Sequence, residues 1–122
     1  MEELRPILVV EDDELILNAL ESTLAGEGYH VMTAPDGAAA LDLVERQPPA
    51  LILLDMMMPV MDGWAFARAY RKQAAPRAPI VEMTAAADAA RRAADVGAEA
   101  YLAKPFNLED LLSLVGRLTR KP

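Results

Sequence analysis

The sequence predicts a doubly wound α/β domain, a five-stranded parallel sheet with helices on both faces. Short apolar runs alternate with longer amphipathic segments along the whole chain, and Gly, Pro or Asp stands at most junctions. No internal repeat or low-complexity linker interrupts that alternation, although alanine is frequent. Strands separated by helices require crossover connections, which give a parallel sheet with right-handed crossings.

Pro6-Ile7-Leu8-Val9-Val10 reads as a buried first strand closed by Glu11-Asp12-Asp13. Asp13 caps a helix to about Gly26, with Leu15, Ile16, Leu20 and Leu24 on its apolar side, and Gly28 ends it. Tyr29–Thr33 is a second strand. Asp36-Gly37 opens a helix to about Gln47, where Pro48-Pro49 stops it. Leu51–Leu54 is the most apolar strand and runs directly into Asp55. A loop over Pro59 to Gly63 leads into a helix from about Asp62 to Gln73. Pro76 and Pro79 bracket a break before a fourth strand, Ile80–Thr84. A helix from about Asp88 to Val96 ends at Gly97, and Ala100–Ala103 is a fifth strand before Lys104-Pro105. Asn107 caps the last helix, whose first turn carries Glu109 and Asp110 where the helix dipole favours acids.

With 122 residues, 53% of them hydrophobic, the chain can bury the core of one domain without staples. It has no cysteine, which excludes a disulfide framework and thiol chemistry and fits a cytoplasmic setting. The start, Met1-Glu2-Glu3-Leu4-Arg5, is unlike a signal peptide, and no stretch approaches the roughly 20 apolar residues of a membrane span. A net charge of −7 argues against this chain alone neutralising nucleic-acid phosphates.

In such sheets ligands sit beyond the carboxyl ends of the strands. The residues expected there are Glu11 and Asp12, Asp55, Thr84 and Lys104. Three carboxylates at one edge repel one another, and a hard divalent cation such as Mg²⁺ relieves that repulsion. Lys104 adds a charge suited to a phosphate oxygen, and Thr84 a hydroxyl donor. Together they would make Asp55 a good phosphoryl acceptor.

Four segments in order carry a family resemblance: Ile7–Asp13, Leu53–Gly63, Met83-Thr84-Ala85 and Lys104-Pro105-Phe106. They resemble the signatures of receiver domains of two-component response regulators, the chemotaxis-regulator-like family, and the match spans essentially the whole chain. The resemblance implies a flavodoxin-like (βα)5 fold with strand order 2-1-3-4-5. It implies that Asp55 is phosphorylated by a histidine kinase or phosphotransfer protein. Mg²⁺, with Mn²⁺ able to substitute, would be held by Asp12 directly, Glu11 through water, Asp55 and the backbone carbonyl of Met57. Thr84 would turn toward the phosphoryl group, Lys104 would pair with it, and Tyr101 falls at the rotating switch aromatic. The output would be a population shift on the face of helix four, strand five and helix five. Positions Met57 and Ala86, two residues after Asp55 and Thr84, would influence the hydrolysis rate. The expected chain is one receiver domain over 1–122 without an effector domain, a signalling phosphoacceptor and not an enzyme acting on outside substrates. It would be a monomer or a phosphorylation-linked dimer, bound to neither membrane nor nucleic acid.

Plainer readings stand beside these. Asp12 and Asp13 suit any helix N-terminus, and capping is the main role given to Asp13. Lys104 has an ordinary loop lysine as its alternative, Thr84 a capping hydroxyl, and Tyr101 strand packing. His30 reads as a surface or packing residue, Trp64 as packing, and Met56, Met57, Met58 and Met61 as core and loop filling, since thioethers do not suit a Mg²⁺ site. Glu82 departs from the pattern, an acid inside the fourth strand where the family usually has an apolar residue. The choices open to it are solvent, a cation such as Arg91 or Arg92, or tuning of the switching face.

Three rival functions are weaker. A haloacid-dehalogenase-like phosphohydrolase would need a second aspartate at the position of Met57. A flavodoxin-like carrier would need a phosphate cradle where Glu11-Asp12-Asp13 stands. A pseudo-receiver scaffold would be expected to lack some of the chemical positions, and all are filled.

Overall fold

The computed structural model describes residues 5–58, 60–73, 77–85 and 98–119. Its elements are β1 (Ile7–Val10), α1 (Glu14–Gly26), β2 (Val31–Ala34), α2 (Gly37–Arg46), β3 (Leu51–Asp55), α3 (Gly63–Arg71), β4 (Ile80–Ala85), β5 (Ala100–Lys104) and α4 (Leu108–Thr119). All strand pairs are parallel and the order is β2-β1-β3-β4-β5, as the resemblance implied. The helix expected over 88–96, with Arg91, Arg92 and Ala86, lies outside the described residues, so α4 is the last of the helices expected.

Strand alternation sorts the core into two layers. Leu8, Val10, Ile52, Leu54 and Ile80 pack against α2 and α3 through Ala40, Val44, Phe66, Ala67 and Tyr70. Ile7, Val9, Leu51, Leu53, Val81, Met83 and Leu102 face the other way, against Leu20 and Leu24 of α1 and Leu111, Leu114 and Val115 of α4. Phe66 and Tyr70, one helical turn apart, stack with ring centroids 5.6 Å apart.

The helix starts follow the expected caps. Asp13 accepts from the amides of Leu15 and Ile16, Asp36 from Ala39, Asp62 from Ala65 and Asn107 from Asp110. The end of α1 is a Schellman turn: Tyr29 N–H donates to Leu24 O and Gly28 N–H to Ala25 O, with Gly28 at φ 93°. That turn corrects the expected start of the second strand. It engages the Tyr29 amide, while exposed His30 offers its carbonyl to Ile7 N–H, so β2 begins only at Val31.

Two further side chains differ from expectation. Leu15 is 81% exposed, because the buried stripe of α1 runs through Ile16, Leu20 and Leu24 at four-residue steps, and Leu15 lies off it. Glu82 is 0% exposed, which removes the solvent-reaching alternative. Trp64 and Met61 are half-buried against the α2–α3 layer, Met56 and Met58 lie within it, and Met57 is exposed.

Candidate functional site

The polar strand ends converge because β1 and β3 are adjacent and in register, Val10 beside Leu54, so the residues that follow them share one edge. Glu11 then stands next to Asp55, and ligand oxygens of Glu11, Asp12 and Asp55 lie within 4.8 Å of one another. Glu11 and Asp55 are buried, whereas Asp12 is exposed. β5 brings in Lys104 at the far end of the sheet. Its Nζ lies 3.3 Å from Asp55 Oδ1 and 3.5 Å from Glu11 Oε1. Thr84, near the end of β4, is buried in the same cleft.

The loop after Asp55 is pinned to it. Met57 N–H donates to Asp55 Oδ1 at 3.2 Å, and Gly63 N–H returns to the carbonyl of Met56 at 3.2 Å. Gly63 permits that closeness, since a Cβ there would stand 2.8 Å from Met56 Cα and 3.0 Å from the Asp55 carbonyl oxygen. Val60, in the same loop, has a φ of 68° and is 84% exposed. The left-handed region is unfavourable for a β-branched residue.

The electrostatics follow from this crowding. The Glu11 carboxyl is pushed up to about 7, chiefly by burial, and the neighbouring Asp55 charge adds to the rise. The Asp13 amide, donating to Glu11 Oε2 at 3.1 Å, and the Lys104 ammonium oppose it. An all-oxygen cluster with one ammonium for three acids suits a hard divalent cation. The donor set therefore fits Mg²⁺.

These groups line a cleft of about 850 Å³. Part of its wall, unanticipated from the sequence, is apolar: Leu15, Ile16 and Ala19 from α1, with Pro105, Phe106 and Leu108 after β5. No local signal marked it, because which stripe of α1 meets the sheet decides that Leu15 faces the cleft. The exposed Met57 side chain also lines the cleft. Tyr101 is not among the lining residues. It stands 44% exposed on β5, in register with Glu82 of β4. Among the described residues, no helix is long and apolar enough to cross a membrane.

Comparison with known proteins agrees with this geometry. The family described as response regulator receiver domain matches residues 7–116. The response regulator MprA of Mycobacterium sp. (strain KMS) is 41% identical over 117 residues, covering 94% of this chain and 50% of that protein. The chain thus spans about half the length of the curated relatives it matches. Among solved structures, the receiver domain of the sensor histidine kinase PA1611 from Pseudomonas aeruginosa, with a magnesium ion coordinated in its active site cleft, superposes with a TM-score of 0.87. It is 34% identical, covering 98% of this chain and 100% of that one. The chemotaxis response regulator CheY4 of Vibrio cholerae gives a TM-score of 0.86 at 34% identity, over 95% of this chain and 99% of that one. With its fold, its strand-end acids and these relatives in agreement, this chain belongs to the response regulator receiver domain family.

Proposed function

We propose that Asp55 accepts a phosphoryl group from a partner histidine kinase or phosphotransfer protein, and that the chain signals by a shift at the face of the helix expected over 88–96, β5 and α4. The observation that carries this reading is the Lys104 ammonium 3.3 Å from Asp55 Oδ1, with Glu11 and Asp12 completing the acidic cluster. A carboxylate oxygen of Asp55 attacks the phosphorus of a phosphohistidine. A P–O bond forms, the P–N bond breaks, and the imidazole leaves. Lys104 balances charge on the incoming phosphoryl oxygens, and Thr84 donates its hydroxyl to one of them.

Asp12, Asp55, the Met57 carbonyl and, through water, Glu11 would hold Mg²⁺, with Mn²⁺ as a substitute. When bound, the ion neutralises phosphoryl charge at the acceptor. Water later attacks the aspartyl phosphate, returning the carboxylate and inorganic phosphate. Met57 provides no proton for a departing alcohol, so outside phosphate esters are not substrates. Thr84 moving toward the phosphoryl group frees space on its strand face, and Tyr101 turns inward. The 122 residues act as one receiver domain in the cytoplasm, monomeric or dimerising on phosphorylation. Their output goes to a partner protein or an effector domain, without nucleic-acid contact by these residues.

Intact-mass spectrometry after treatment with acetyl phosphate and Mg²⁺ tests the chemistry. Wild type should gain one phosphoryl group, and neither Asp55→Ala nor chelator-treated wild type should gain any. An adduct of equal yield on Asp55→Ala, or a wild type that takes up neither phosphoryl nor beryllofluoride, would remove Asp55 as acceptor.

A further inference from the structure

A fully buried carboxyl on β4 is costly where hydrocarbon would pack, and the phosphoryl chemistry does not use Glu82. Its position along the sheet is specific. Val81 and Met83 belong to the α1–α4 layer and Ile80 to the α2–α3 layer, so Glu82 and Thr84 share the α2–α3 face of β4. Leu102 belongs to the α1–α4 layer, so Tyr101 projects to the same face as Glu82, its register partner on the neighbouring strand. Parallel partners stand roughly 4.8 Å apart. One member of this pair is enclosed, and the other is 44% exposed.

We propose that Glu82 is a positioning residue for Tyr101, a buried acceptor that the phenol hydroxyl reaches when the ring turns in from solvent. A tyrosine hydroxyl leaving water needs a partner. The other in-register neighbour of Glu82, Leu54, is hydrocarbon, as is Ile80 on the same face. Thr84 would by then have turned to the phosphoryl group. The Glu82 carboxyl thus gives the inward ring a hydrogen bond that an apolar residue at position 82 could not. It thereby favours the phosphorylated arrangement. This inference rests on the phosphoacceptor reading above.

The test is titration with beryllofluoride in saturating Mg²⁺, using 3-fluorotyrosine to follow the ring by fluorine NMR. The chains compared are wild type, Glu82→Met, Glu82→Leu, Glu82→Gln, Tyr101→Phe and the Glu82→Met/Tyr101→Phe double variant. One hydrogen bond corresponds to a loss of about 3- to 10-fold in beryllofluoride affinity for Glu82→Met, Glu82→Leu and Tyr101→Phe. The double variant should lose no more than either single one, because both remove the same bond. Glu82→Gln, which keeps an acceptor oxygen, should recover most of the affinity. The Tyr101 fluorine resonance should shift on binding in wild type and remain near its free position in Glu82→Met. Wild-type affinity in Glu82→Met and Glu82→Leu, or losses that multiply in the double variant, would overturn the role of Glu82 while leaving the acceptor chemistry intact. A wild-type chain that binds no beryllofluoride would instead sink the phosphoacceptor reading, and this proposal with it.

Discussion

β3 and β5 each deliver one charged group to the same cleft, and they are built in opposite ways. β3 lies between β1 and β4, and every residue from Leu51 to Asp55 is buried. β5 is an edge strand, and only Leu102 in it is buried. Asp55, the proposed acceptor, is therefore carried by a central, fully enclosed strand, whereas Lys104 and Tyr101 ride on an edge strand that is mostly open. A phosphoryl site needs a fixed acceptor, and a signal needs something beside it that can move. On the proposed reading, this sheet would supply the first at its centre and the second at its margin.

Equal truncations at centre and edge should expose that difference first. Leu53 and Leu102 pack in the same core layer, at 0% and 7% exposure. Leu→Ala changes in cores cost about 2–5 kcal/mol, depending on how far the site can collapse around the lost atoms. Leu53→Ala should fall near the top of that range and Leu102→Ala near the bottom, as read by urea denaturation. Equal losses would mean that β5 is as firmly held as β3, and the fixed-centre account would fail.

The second test is electrostatic and concerns the acid beside Asp55. Glu11 titrates at about 7 in the folded metal-free chain against an ordinary 4.5, mainly because it is buried. Its folded-state affinity for the proton is thus raised. The associated stability is fully present below pH 4.5 and is lost as pH rises through about 7. The shift corresponds to about 3 kcal/mol. Metal-free protein should become less stable across that window, and Glu11→Gln should flatten the change. Mg²⁺ should restore the loss above pH 7 and do little below pH 5, since the carboxylate must be deprotonated to help hold it. A Glu11→Gln profile that matches wild type would show that the acidic cluster is relieved in some other way.

Much of this division was legible in the residues. An apolar run ending in aspartate reads as a buried strand with a costly terminus, and the caps at Asp13, Asp36 and Asn107 are local chemistry that tertiary contacts did not override. What escaped depends on packing between distant segments. Leu15 counts as apolar in any window, yet its direction is set by which stripe of α1 meets the sheet. The cleft's apolar wall joins α1 to the segment after β5, nearly ninety residues apart in the chain. Glu82 was recognisable as an exception with several uses open to it, and its register opposite Tyr101 is what points to one.

The third test returns to the glycine that lets α3 begin against β3. Gly63→Ala would place a Cβ 2.8 Å from Met56 Cα, a backbone atom that cannot swing aside as a side chain can. Overpacking of this kind costs about 1–3 kcal/mol. The displaced backbone is the one whose Met57 amide donates to Asp55 Oδ1, so Mg²⁺ affinity should weaken along with stability. A variant that loses stability but keeps wild-type Mg²⁺ affinity would separate the loop's packing from its hold on Asp55.

The smallest effect should come from Val60, where the chain leaves the rigid centre for the loop. A β-branched side chain at φ 68° strains the backbone, and at 84% exposure it gains little from packing in return. Val60→Gly relieves that strain and gives back part of the gain as unfolded-chain entropy, for a net stabilisation of about 1 kcal/mol. Val60→Ala, without the β-branch, should fall between the two. Because the Val60 side chain faces solvent, the urea midpoint should rise with little change in Mg²⁺ affinity. A destabilised Val60→Gly would mean that the valine holds the loop in shape. The ordered region around Asp55 would then extend past the end of β3 into the segment that follows it.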